Sequence, residues 1–165
     1  MIGAIWGIVG VIVVLGRAIV RLFPPALLPL RQDPTPLVLA AYAASVFFNG
    51  YLEGYRAFHK GFAPRVAARA LHLRHDPSLL HALLAPVFVL AFFHATRRRI
   101  VARYVLVLAL IVLVWIVRHC PQPWRGAIDA GVVIALSWGC VSLVYYFARG
   151  LRGRSPPVSA DLPEP

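Results

Sequence analysis

From Ile100 to Val117 the chain runs through an apolar stretch broken by one charge, Arg103, and by no glycine or proline. Wound as a helix at about 1.5 Å per residue, that stretch is about 27 Å long, close to the hydrocarbon thickness of a bilayer. No soluble helix needs to be apolar on every face over such a length, so this run constrains the fold more than any other feature. Four further runs resemble it: Ile2–Phe23, Leu37–Arg56, Ser78–Thr96 and Ala127–Ala148. Together they account for a chain that is 60% hydrophobic with a mean hydropathy of +0.74, where soluble domains sit near about 45–50%.

The sequence therefore predicts an all-α, polytopic transmembrane helical bundle of five spans. A four-span alternative, with the second or third run re-entrant, stays open. Residues 1–150 form the integral membrane domain, and 151–165 a basic, Pro-rich tail expected to be disordered. Pro24, Pro25, Pro29, Pro34 and Pro36 are expected to make a loop after the first run. Thr35-Pro36 reads as cap and first residue of the next helix. Phe62–His75, with Arg65, Arg69 and His72 on one face, reads as an amphipathic helix in the headgroup region. Pro86 predicts a kink within the third span.

The net charge of +11, from 17 Lys and Arg against 6 Asp and Glu, flanks the apolar runs and does not form a separate basic domain. It points to anionic lipid headgroups and to topology, not to nucleic acid. Counting positive charges over five spans favours an outer N-terminus and a cytoplasmic C-terminus, in a cell (inner) membrane. Trp6, Trp115 and Trp124 then fall near the outer interface. The first run lacks a preceding basic residue and a small-x-small cleavage site, so it reads as a retained helix. Cys120 in a loop and Cys140 deep in the last run are too far apart to bridge.

The second run is the most polar. Tyr42, Ser45, Asn49, Glu53, Arg56 and Lys60 recur at steps of three or four, one stripe of a regular helix. An intramembrane carboxylate such as Glu53 is by default a proton, ion or ligand site, with pairing to Arg56 or Arg118 as the structural alternative. Five alternating spans would bring Glu53, His81, Arg118, His119 and Asp129 to one membrane face. Asn49, Glu53, Arg56, His81, Arg118 and Asp129 are thus the candidate polar site, with Arg125 four residues before Asp129 as its local partner. His72 and His75 have metal-compatible spacing but no further ligands nearby, and His81 and His94 are too far apart to share an ion. No cofactor is expected, and no nucleophile elbow, phosphate loop or zinc-protease pattern occurs. Ser137 and Ser142 read as bonded back to their own helix.

Ala127, Gly131, Ala135 and Gly139 repeat at steps of four, a face that lets another helix approach closely. Gly50 with Gly54, and Gly3 with Gly7, are shorter versions. They serve packing within the chain, or a homo-oligomer or larger membrane complex. The reading favoured by the missing catalytic motifs is a non-enzymatic accessory or scaffold subunit. A small proton- or ion-coupled transporter using Glu53, and a lipid-handling enzyme using Glu53 and His81, are the alternatives.

Overall fold

The computed structural model describes residues 2–31, 33–73, 84–90, 97–154 and 158, without the side chains of residues 98, 99 and 103. Every regular element among them is helical: α1 (Ile2–Arg31), α2 (Pro36–Asn49), a π-helix (Gly50–Phe62), α3 (Ala63–His72), α4 (Ala85–Val89), α5 (Arg97–His119) and α6 (Trp124–Leu151). Three of them, α1, α5 and α6, are long and apolar enough to cross a membrane. Arg74, His75, Asp76, His81, His94, most of the third run and most of the tail lie outside the described residues.

α1 does not stop at its prolines. Pro24, Pro25 and Pro29 all lie inside it, against the expectation of a loop. Each proline removes a backbone donor and crowds the preceding turn. Docking on α6 holds this end helical: Pro29 is buried, and a Cβ on Gly126 would collide with its ring and would meet the Pro25 carbonyl oxygen at 2.7 Å. Ala26 packs with Ala130 and Val133 of α6 in the same contact. The reversal into α2 includes Asp33 at φ 43°, a left-handed conformation that Asp tolerates. Thr35 caps α2 as expected, its hydroxyl accepting from the Val38 N–H at 3.4 Å.

α2, the π-helix and α3 follow one another without a break. Ala63 N–H donates to the Phe58 carbonyl five residues back, the π pattern, where an α-helix would reach four. The rod lies along α6 in the same direction. Gly131 of α6 faces Ser45 and Asn49, Gly54 faces Ala135 and Trp138, Gly139 faces Phe58, and Gly150 faces Leu71. α1 runs the opposite way, with Pro29 at Gly126 and Ala4 and Ile8 in one cluster with Leu143. Five alternating spans would set the first and last runs parallel and the second antiparallel to the last; the helices run the other way in both cases. Trp6 accordingly lies at the opposite end of the bundle from Trp124.

α3 and α4 close one end of the bundle over α1. Val66, Ala70, Phe88 and Val89 join Ala4, Ile8, Val11 and Leu143 in the main core. α4 seats on the glycine face of α1: Cβ atoms on Gly7 and Gly10 would meet Val89 at 3.1 Å and Pro86 at 2.6 Å. Pro86 opens α4 instead of kinking a longer helix. α3 packs against α1, α4, α6 and the π-helix, so the interfacial helix expected from its pattern is part of the core. Arg69, expected on its polar face, is 2% exposed. Its Nε–H donates to the Phe88 carbonyl at 2.8 Å, and its guanidinium lies over the Phe88 ring. A charge is more readily buried there because its Nε–H and its flat face both find partners.

Candidate functional site

The small-residue face of α6 decides where polar groups collect. Gly131 leaves room for Asn49, whose amide nitrogen donates to the Ser45 carbonyl at 2.9 Å and lies 3.1 Å from the Ser45 hydroxyl. Asn49 is therefore satisfied within its own helix and carried against α6. Ala127, Gly131, Ala135 and Gly139 are all buried, as is Gly54, while Gly50 is half-buried with Ile134 at 3.4 Å from its Cβ position. These small residues are in use inside the monomer.

Beyond Gly50 the wider winding breaks the stripe read from the sequence. Residues four and five apart align, so Tyr51 stacks on Tyr55 with ring centres 6.0 Å apart, and Tyr55 on His59 at 5.6 Å. The ladder meets α6 edge-on through Trp138, 6.4 Å from Tyr55. At its upper end His59 is held by α6: Nδ1 lies 2.9 Å from the Ser142 hydroxyl, and Nε2 lies 3.5 Å from the Tyr146 hydroxyl. Ser142 is 2% exposed. It is tied to a neighbouring helix, not to its own, whereas Ser137 does bond back, to the Val133 carbonyl at 2.8 Å. A buried serine bonded to an imidazole of another helix, with Tyr145 and Tyr146 against that imidazole, is a structural node between helices.

Of the six residues expected to cluster, the five that are described do not come together. Asn49 is bonded back within α2, Glu53 and Arg56 are exposed on the π-helix, and Arg118 is exposed at the end of α5. His81 lies outside the described residues. Asp129 is buried at 3% exposure with Arg125 at 3.5 Å, an ion pair too poorly aligned to count as a hydrogen bond. Because α2 and α6 are parallel, Asp129 sits beside the height of Ser45, and Glu53 nine residues further along, beside Trp138. The two carboxylates are separated by about 13 Å of helical rise. His119 closes on its own helix, its Nδ1–H donating to the Trp115 carbonyl at 2.7 Å. Among the described residues, Glu53 and Arg56 have no hydrogen bond or ion pair, and no three His, Cys, Asp or Glu side chains converge. Both cysteines are free.

The sequence marks the stretch Asn49–Arg69, dense in glycine, aromatic and charged residues, as the first place to look for a site, but Tyr145, Tyr146 and the bond from His59 to Ser142 were missed. The signal was available in Tyr51, Tyr55 and His59, which recur at steps of four and so share a face in either kind of helix. Against protein-family models, characterised proteins and solved structures alike, the chain has no match.

Proposed function

We propose that the chain is an integral membrane protein that crosses the bilayer four times and serves as a non-enzymatic subunit of a larger membrane assembly. The antiparallel setting of α1 and α6, with the α2–π–α3 rod parallel to α6, supports an even count in which α1, the rod, α5 and α6 cross. α4, seated on Gly7 and Gly10, is then a re-entrant element, and both termini share a side. Arg65, Arg97, Arg149, Arg152 and Arg154 gather at that side; Arg31, Arg118 and Arg125 stand at the other. The imbalance favours a cytoplasmic position for both termini, in an inner membrane, which replaces the outer N-terminus that five spans would give.

The observation that carries the subunit reading is the position of Glu53 and Arg56. Trp138, opposite their turn, is midway along α6, about 21 Å from either end. Exposed charges at that height cannot be left to acyl chains and need protein or water against them. A second chain provides both signs of partner at once. The test is the mass of the chain purified in mild detergent. A particle well above 18.2 kDa after subtracting detergent, reduced to a monomer by E53Q/R56Q, is the expected result. A wild-type monomer overturns it.

A second reading, a proton or ion path, draws on the same height of Glu53 and on the π winding, which elsewhere concentrates at functional sites. It predicts that liposomes carrying the purified chain dissipate a pH gradient and that E53Q abolishes this; equal rates in both end that reading.

A further inference from the structure

Glu53 and Arg56 are three residues apart on the π-helix. In a winding of between four and five residues per turn they stand about 120° apart around its axis. Leu52 and Ala57 fall in the sector between them, while Gly54, Phe58 and His59 lie on the opposite side, against α6. Exposure follows the same division: Glu53, Arg56 and Ala57 are exposed, Leu52 is half-buried and Gly54 is buried. The neighbouring cation, Lys60, is turned onto the Tyr55 ring, with Nζ 4.7 Å from its centre. The outer face of the rod thus presents a narrow apolar seam with an anion on one flank and a cation on the other, about 4 Å apart in height.

We propose that a second copy of this chain covers the seam, in a two-fold pair whose axis stands along the membrane normal; the proposal rests on the subunit reading and names the partner within it. Copies inserted the same way hold their rods parallel. The complement of an anion on one flank and a cation on the other is the same arrangement turned by half a revolution, which is what the second copy offers. Glu53 of each copy then meets Arg56 of the other, and both ion pairs form in one contact. Flanking charges pair in the same way across a parallel coiled coil. The difference in height is within reach of an arginine side chain. Ala57, beside the axis, lets the two backbones approach closely. At mid-bilayer depth neither charge finds water, so removing one partner strands the other.

The test is charge reversal, read by native mass spectrometry of the full chain released from mild detergent. Wild type should give twice 18.2 kDa. E53R sets cation against cation and R56E carboxylate against carboxylate; each should weaken the pair by about a hundred-fold. E53R/R56E exchanges the signs of both pairs and should return to within about five-fold of wild type, as should the mixed dimer of co-expressed E53R and R56E chains. A second measurement keeps the native charges, since a reversed charge at mid-bilayer can upset folding. In a C120S/C140S background, A57C should be joined into a disulfide dimer by copper–phenanthroline in native membranes, whereas L108C, exposed on α5, should stay monomeric. A wild-type monomer overturns the subunit reading and this proposal with it. A larger particle holding one copy of this chain beside a different protein leaves the subunit reading standing and overturns the second copy. A dimer that E53R/R56E fails to restore, or that cross-links through L108C as readily as through A57C, overturns the seam.

Discussion

α5 and α6 are joined by the short turn Cys120–Pro123, and the two helices are treated in opposite ways. α5 is the more apolar, yet none of its apolar window is buried; α6 is less apolar and half of its window is buried. The difference lies in side-chain size. α5 is built of Val, Leu and Ile without a glycine, whereas α6 carries Gly126, Gly131, Gly139 and Gly150 together with Ala127, Ala130 and Ala135. In the bilayer proposed above, lipid solvates a branched aliphatic side chain as well as a protein core does, so hydrophobicity gives α5 no reason to pack within the chain. Association among membrane helices is driven by close backbone approach and by polar groups that find partners, and those are features of α6.

The largest effect should come from filling a notch on α6 while leaving α5 as a control. A Cβ on Gly131 would meet the Ser45 hydroxyl at 2.6 Å and its carbonyl oxygen at 2.8 Å, and a backbone atom cannot swing aside. Gly131→Leu should destabilise the folded chain by about 3 kcal/mol, while Ala109→Leu on α5 stays within about 0.5 kcal/mol, read as unfolding in detergent. If Ala109→Leu proves as costly, α5 is packed and the contrast fails. Next in size is Arg69→Met, which keeps the volume but removes a buried charge-assisted hydrogen bond to Phe88. It should cost about 2 kcal/mol and loosen α3 and α4, seen as faster amide exchange there than in α2. Smallest is the pair of serines on α6. Ser142→Ala breaks the link to His59 and should cost about 0.6 kcal/mol; Ser137→Ala removes a bond within one helix and should cost nothing measurable. Equal effects would mean that the node between the π-helix and α6 contributes no stability.

Much of this fold is legible in the residues themselves. The runs that become α1, α5 and α6 stand out by length and hydropathy, Thr35-Pro36 marks the start of α2, and the four-residue repeat from Ala127 to Gly139 marks the packing face of α6. What the sequence hides are outcomes of contact. Pro29 stays helical because Gly126 admits its ring, a fact that neither residue carries alone. Arg69 is buried because the Phe88 carbonyl and ring are there to receive it. The polar stripe fails after Gly50 because the winding changes, so Arg56, seven residues on, leaves the face on which a regular helix would set it beside Asn49. Helix direction is hidden for a different reason: hydropathy counts apolar runs, while whether a run crosses or turns back is decided by what it packs against. The candidate polar cluster depended on alternation, and so it dispersed once α2 and α6 proved parallel. The aromatic ladder was within reach, since Tyr51, Tyr55 and His59 keep one face under either winding.

The central claim is the direction of the helices, because the height of Glu53 and the location of the basic end both follow from it. Reporter fusions before Ile2 and after Arg154, scored in intact cells for the compartment each occupies, test it most directly. The account predicts that both reporters are cytoplasmic. Reporters on opposite sides of the membrane would contradict it, since an odd number of crossings cannot hold α1 antiparallel to α6.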